Sequence, residues 1–137
     1  MATALEVARD VYSRFAEGDI AGFLNLCSEN IEWVVNGPAT LEKCGSFRGR
    51  GGVQEFLNIL GESWEFSAFT PKQFLMDGPT VVVLGEEQGK DKRSGVQFEN
   101  RWVHVLDVKD GQVIRFREFL CHWPGDQKPP AMTWDRV

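Results

Sequence analysis

Several residues that carry recognisable chemistry are scarce in this chain. Its 137 residues hold one Tyr, two His and three Cys. The cysteines, Cys27, Cys44 and Cys121, are odd in number and no pair has metal-ligand spacing. Free thiols in a reducing compartment are the simplest account. No cluster of His, Cys and carboxylates suggests a metal, and no motif suggests a bound cofactor. A run of about 20 apolar residues, as a membrane-spanning helix needs, does not occur. The opening stretch MATALEVARDVYSRF places charges among its apolar positions and has no signal-peptide core. A cytoplasmic protein with no membrane partner is expected. Excess basic charge is also missing: the net charge is −5, with both signs interspersed. The nearest basic cluster, Lys90, Lys92 and Arg93, is broken by Asp91 and reads as a solvated hairpin tip. Nucleic acid is therefore not an expected partner.

What is abundant is aromatic bulk, with ten Phe and five Trp. That suits a large core or a pocket with flat walls. The length fits one domain spanning 1–137, with a core over about 3–123 and an irregular tail over 124–137 in which Met132 and Trp134 could dock. Leu5, Ala8, Val11, Tyr12 and Phe15 recur at helical spacing, with Thr3 and Glu6 placed for a capping box. Gly18 stops this helix and Asp19 caps a second through Ile20, Phe23, Leu24 and Cys27. Ile31 to Val35 reads as a strand. The stretch from Ala39 to Gly52 reads as irregular and leads into a helix carrying Val53, Phe56, Leu57 and Leu60. Its Phe47-Arg48-Gly49-Arg50-Gly51-Gly52 lacks the Lys-Ser/Thr of a phosphate loop and reads as structural. Strands then follow over 73–76, 80–84, 96–108 and 112–121, with a polar connection over 89–95. Helices followed by an antiparallel meander predict an α+β fold, in which a curved sheet covered by helices encloses a pocket.

The last hairpin decides which side chains face that pocket. A type I turn followed by glycine at Val108-Lys109-Asp110-Gly111 sets Val108 opposite Gln112. His104 then faces Phe116, Trp102 faces Glu118 and Asn100 faces Leu120. Phe98, Asn100, Trp102, His104, Leu106, Ile114, Phe116, Glu118 and Leu120 share the inner face. A tight two-residue turn would shift the pairing by one, place Trp102 opposite Phe119 and move Glu118 to the face of Arg101. In the first register three polar residues enter the apolar face: Asn100, His104 and Glu118. Glu118 between Trp102 and Phe116 is expected to have a raised pKa, with His104 diagonally in reach. Such a carboxyl and imidazole suit general acid–base chemistry. They also suit a structural network in which each satisfies the other or a buried water, and the residues alone favour that reading.

The run from Trp102 to Phe119 resembles the last hairpin of SnoaL-like, ketosteroid isomerase-related proteins of the nuclear transport factor 2-like superfamily. The N-terminal helices, the strand around Trp33 and the segment Gly45-Ser46-Phe47-Arg48-Gly49-Arg50-Gly51-Gly52 before a helix fit the same pattern, up to about Trp123. The resemblance implies a cone-shaped, cystatin-like α+β fold with a curved, mostly antiparallel (mixed) sheet, and a homodimer through the outer sheet face. Members include isomerases, polyketide cyclases, epoxide hydrolases, dehydratases and non-catalytic binding domains, so the fold does not give the function. Ketosteroid isomerases place an Asp base near the end of the first strand, where this chain reads Val34-Val35-Asn36. Related proteins often carry Asp three residues after the hairpin Glu; this chain has Cys121, expected as a small packed residue.

Three functions compete. The first is a cofactor-independent acid–base enzyme on a small apolar substrate, with Glu118 and His104 catalytic and Asn100 a polarising donor. Trp33, Phe98, Trp102, Phe116, Leu120 and His122 would line its pocket. The second is a binding domain for an apolar metabolite or pigment. The third is a structural dimer whose interior is filled by its own side chains. A cavity of about 300 Å³ or more would favour the first two.

Overall fold

A computed structural model describes residues 2–127. Helix α1 (Ala4–Glu17) starts in the expected capping box: Thr3 accepts from the Glu6 N–H, and the Glu6 carboxylate accepts from the Thr3 N–H. It ends at Gly18, in the left-handed region. Asp19 caps α2 (Ile20–Asn25), which stops short of Cys27 because that residue opens strand β1 (Cys27–Asn36). The remaining elements are β2 (Gly45–Arg48), α3 (Gly49–Ser63), β3 (Trp64–Asp77), β4 (Thr80–Asp91), β5 (Gln97–Lys109) and β6 (Gln112–Pro124).

The strands form one curved sheet in the order β2-β1-β6-β5-β4-β3. Among the described residues only β1 and β6 run parallel, so the sheet is mixed, and with β2 and β3 at its two edges it does not close. Three segments differ from the sequence reading. Strand β3 begins nine residues before Gln73, at Trp64, since its edge position tolerates two register breaks, at Phe66/Ala68 and Pro71/Gln73. Strand β4 runs on to Asp91 through the segment expected to be a loop, because Gly89 and Lys90 still pair with β5. The glycine-rich stretch supplies β2 and the first turn of α3, and Arg50 donates to the Cys27 carbonyl. The tail expectation for Met132 and Trp134 lies outside the described residues.

The hairpin between β5 and β6 combines both turn readings in a way neither foresaw. Asp110 (φ 52°) and Gly111 (φ 78°) both sit in the left-handed region, so the turn is the tight one, with Lys109 opposite Gln112 and Val108 opposite Val113. Ile114 is then an extra residue: Asp107 faces Arg115, and Ile114 and Arg115 both point outward. The turn alone would send Phe116, Glu118 and Leu120 to the outer face, and the bulge turns them back. The expected inner face therefore survives, but every pair is displaced. His104 faces Glu118 rather than Phe116, Trp102 faces Leu120 rather than Glu118, and Asn100 faces His122 rather than Leu120. Ile114, placed inside by the sequence reading, is 37% exposed, and Val113 is buried instead.

The helices cover the concave face. Val7, Ala8 and Val11 of α1, Phe23 of α2 and Val53, Phe56 and Leu60 of α3 are buried in one core with Trp33, Phe98, Trp102 and Phe116. Trp33 stacks on Phe116 across the parallel β1/β6 pair, ring centres 3.7 Å apart. Each such side chain contributes about 1.5–3 kcal/mol by leaving water.

Candidate functional site

Three rows of cross-strand partners build the site on the concave face. One row is Val83 of β4, His104 of β5 and Glu118 of β6; the next is Gly85, Trp102 and Leu120; the third is Glu87, Asn100 and His122. Two polar rows thus flank an aromatic one. Gly85 is required there, because a Cβ would stand 2.2 Å from the Trp102 indole. With that room, Trp102 stacks flat on His104 at 3.9 Å, and on Phe69 from the other side of the hollow.

The first row is wired by hydrogen bonds. His104 Nε2 lies 2.7 Å from Glu118 Oε1, and Tyr12 of α1 reaches His104 Nδ1 at 2.6 Å. Lys43, from the loop between β1 and β2, is 4% exposed and places Nζ 3.4 Å from Glu118 Oε2 and 4.4 Å over the Trp64 ring. In the third row, the Trp123 backbone N–H donates to Asn100 Oδ1, which fixes the amide orientation. Asn100 Nδ2 therefore donates to Glu87 Oε2 at 2.9 Å, and His122 donates from Nδ1 to Asn100 Oδ1 at 2.8 Å.

Burial and charge set the protonation states. Burial would push Glu118 up, but the Lys43 ammonium and the hydrogen bond from His104 outweigh it and hold the carboxyl down, to about 2. This corrects the expected rise, which considered the aromatic walls without the lysine. Burial likewise opposes the charge on Lys43, yet Glu118 and Glu87 together raise it. Burial lowers His104 despite Glu118, and the Lys43 charge adds to that. Burial, with Glu118 acting against Lys43 and Asn100, pushes Glu87 up to about 7. Tyr12 is raised well above its ordinary value by burial and by Glu118. At neutral pH the row thus holds carboxylate, ammonium and neutral imidazole. A carboxylate only accepts, so His104 carries its proton on Nε2; its Nδ1 lone pair accepts from the Tyr12 hydroxyl.

Tyr12, Lys43, Glu87, His104 and Glu118 all line one cavity, whose remaining wall is apolar and mostly aromatic. The cavity measures about 40 Å³, room for a water or two. Among the described residues the sheet and helices enclose no hollow of several hundred Å³ around this site, because Tyr12, Phe15, Phe66 and Phe69 from α1 and β3 pack into it. Of the residues singled out in the sequence, Trp33, His104, Phe116 and Glu118 line the cavity. Trp102 lies behind His104, and Phe98 and His122 pack on Trp64 further along the sheet. Asn100 and Leu120 are buried beside them, and Cys121 is exposed on the outer face rather than packed. A larger open groove of about 660 Å³ passes Glu65, Gln88, Lys90 and Asp126, but none of Tyr12, Lys43, Glu87, His104 or Glu118 lines it. Among the described residues no His, Cys, Asp and Glu cluster could hold a metal ion, and no helix is long and apolar enough to cross a membrane.

Sequence reasoning missed Lys43 and Glu87 and read Tyr12 only as part of an apolar helix face. Lys43 left no signal, since loop residues have no periodicity to betray their direction. Glu87 did: it continues the inward alternation of Val81, Val83 and Gly85.

Residues 8–116 match the family model of the SnoaL-like domain. No curated protein matches the chain by sequence. Among solved structures, a nuclear transport factor 2-like protein from Burkholderia xenovorans is 28% identical, with 88% of this chain and 92% of that one covered and a TM-score of 0.79. One from Burkholderia thailandensis is 27% identical over the same shares, with a TM-score of 0.80. TerC, co-crystallised with polyporic acid, is 25% identical, covers 85% and 90% of the two chains and has a TM-score of 0.75.

Proposed function

Because the chain belongs to the SnoaL-like domain family, we propose that it is a cofactor-independent acid–base enzyme acting on a small, largely apolar carbonyl compound. The observation that carries this reading is the buried row Tyr12–His104–Glu118–Lys43, which ends on the cavity wall. Glu118 and His104 are the catalytic pair. A substrate proton passes to Tyr12 Oη as the Tyr12 proton passes to His104 Nδ1, and the Glu118 carboxylate stabilises the imidazolium that results. With His104 charged, Nδ1–H donates to Tyr12 and the phenol can return a proton to another substrate atom. Removal and return of one proton is isomerisation; coupled to bond formation or loss, it is cyclisation or dehydration.

Trp33 and Phe116 form the flat wall against which an apolar substrate body would lie, and Trp102 holds the His104 ring in plane. Phe98, Asn100, Leu120 and His122 extend the same surface toward Trp64. A ligand larger than water enters only if Tyr12, Phe15, Phe66 and Phe69 swing aside. The small cavity favours a second reading on the same observation: an interior filled by its own side chains, with no ligand.

The test uses two probes. Polyporic acid is expected to raise the melting temperature of the wild type and less so that of His104→Ala. A bicyclic aryl ketone such as 2-tetralone is expected to exchange its α-hydrogens with D2O faster than in buffer, with Glu118→Gln and His104→Ala each at least about a hundredfold slower. Neither binding nor exchange in the wild type leaves the filled-core reading standing.

The same family membership motivates a homodimer through the outer sheet face. Phe119 (48% exposed) and Ile114 stand there beside the Asp107 ion pairs to Arg115 and Arg117. Sedimentation should show a dimer that Phe119→Glu dissociates; a monomeric wild type at micromolar concentration rejects the idea.

A further inference from the structure

The charges around the cavity do not balance if every acid is ionised. Among the described residues that line it, Lys43 is the one cation; Glu118 and Glu87 are two carboxyl groups, 4% and 2% exposed, and His104 is neutral. An unpaired charge in such surroundings is costly, so one carboxyl keeps a proton. The geometry says which. Glu118 has a hydrogen bond from His104 Nε2–H at 2.7 Å and the Lys43 ammonium in ion-pair reach of its other oxygen at 3.4 Å. Glu87 has the side-chain amide of Asn100, bonded at Oε2. That leaves Oε1 as the atom for the proton.

We propose that Glu87 is a further catalytic residue, a neutral carboxylic acid that protonates the substrate from Oε1 while the Tyr12–His104 pair removes a proton elsewhere on it. The inference rests on the acid–base reading above. Charge conservation supports it. Before the step the lining carries Lys43 ammonium, Glu118 carboxylate, neutral His104 and neutral Glu87. Afterwards it carries Lys43 ammonium, Glu118 carboxylate, His104 imidazolium and Glu87 carboxylate. The sum is zero in both states, the substrate has lost one proton and gained one, and the buried site never holds net charge. Return of the proton from His104 to Glu87 closes the cycle. Lys43 and Glu118 act on Glu87 electrostatically, His104 and Tyr12 line the same cavity, and His122 is bonded to Asn100, the partner of Glu87. Its titration near neutrality agrees with a group poised both to hold and to give a proton.

Infrared difference spectra test the proton directly. The wild type at pH 6 is expected to show a carbonyl band of a buried protonated carboxyl that Glu87→Gln abolishes. In Glu118→Gln, Lys43 loses its counterion, Glu87 ionises to replace it, and the band is lost at the same pH. A wild type without the band, or a band untouched by Glu87→Gln, overturns the inference whatever the activity. Kinetics test the role. Glu87→Gln, which preserves the bond to Asn100, is expected to lower the rate constant of 2-tetralone exchange about a hundredfold with KM little changed, and to remove the fall in rate above neutral pH. Full exchange in that variant, with the band present in the wild type, rejects the acid role alone. No exchange in the wild type, with the band present, rejects the enzymatic reading and the acid role that rests on it, while the shared proton stands.

Discussion

At the scale of single residues, Lys43 does most to set the chemistry. It turns Glu118 from a carboxyl that burial would neutralise into a fixed anion, and that anion orients His104. Removing one partner of a buried ion pair strands the other. Lys43→Met is expected to lose about 3–5 kcal/mol of stability, measured by urea denaturation. Lys43→Met combined with Glu118→Gln removes both charges and should be more stable than the single variant. A loss under ~1 kcal/mol in Lys43→Met would mean that the pair behaves like an exposed one. None of this was legible in the sequence. His104 and Glu118 were visible because strand parity reports direction, whereas a lysine in a loop between Pro38 and Gly45 has no neighbours at fixed spacing to report its own.

At the scale of elements, the last hairpin shows why a face can be read correctly from a wrong register. Face depends only on parity, and the turn and the bulge each change it once. Pairing depends on the actual count, and there the reading was two residues off. Ile114 carries no mark as the extra residue, since an Ile in a strand is unremarkable until its partner is known. Deleting Ile114 is expected to keep Asp107 opposite Arg115 and His104 opposite Glu118, and so to leave a cooperative thermal transition. Inserting one alanine between Arg115 and Phe116 turns Phe116, Glu118 and Leu120 outward and should abolish that transition. If the deletion unfolds the chain and the insertion does not, the bulge is misplaced. The helical elements were easier to read because their signals are local: Thr3, Glu6, Gly18 and Asp19 act within a few residues of themselves. The size of the hollow was not local at all. It depends on how far Phe66 and Phe69 of one edge strand lean toward Tyr12 and Phe15 of a helix more than 50 residues away.

At the scale of the whole molecule, the buried acids make stability depend on pH in opposite directions. Glu87 titrates higher folded than unfolded, where an ordinary glutamate has a pKa of about 4.3. Its contribution is complete below that value and is lost as pH rises toward 7, at up to about 1.4 kcal/mol per pH unit. Glu118 titrates lower folded than unfolded, so its contribution is present above ~4.3 and lost as pH falls toward 2. His104, also lowered, gives up stability as pH falls below its ordinary value of about 6.5 and partly masks Glu87. The difference between wild type and Glu87→Gln isolates the first effect. That difference should shift against the wild type between about pH 4.3 and 7, measured by denaturation at each pH; a flat difference shows that Glu87 titrates normally.

The breaks in β3 reach beyond its own fold. This strand is a sheet edge, where unpaired N–H and C=O groups invite another chain to add on. Its two register breaks divide it into stretches of three, four and five paired residues, at 64–66, 68–71 and 73–77. Ordered fibrils need runs of about six or seven residues in register. Pro71 also withholds an N–H from any neighbour. β2, at the opposite edge, is four residues long. Among the described residues neither border offers an in-register run of the length that fibril growth needs.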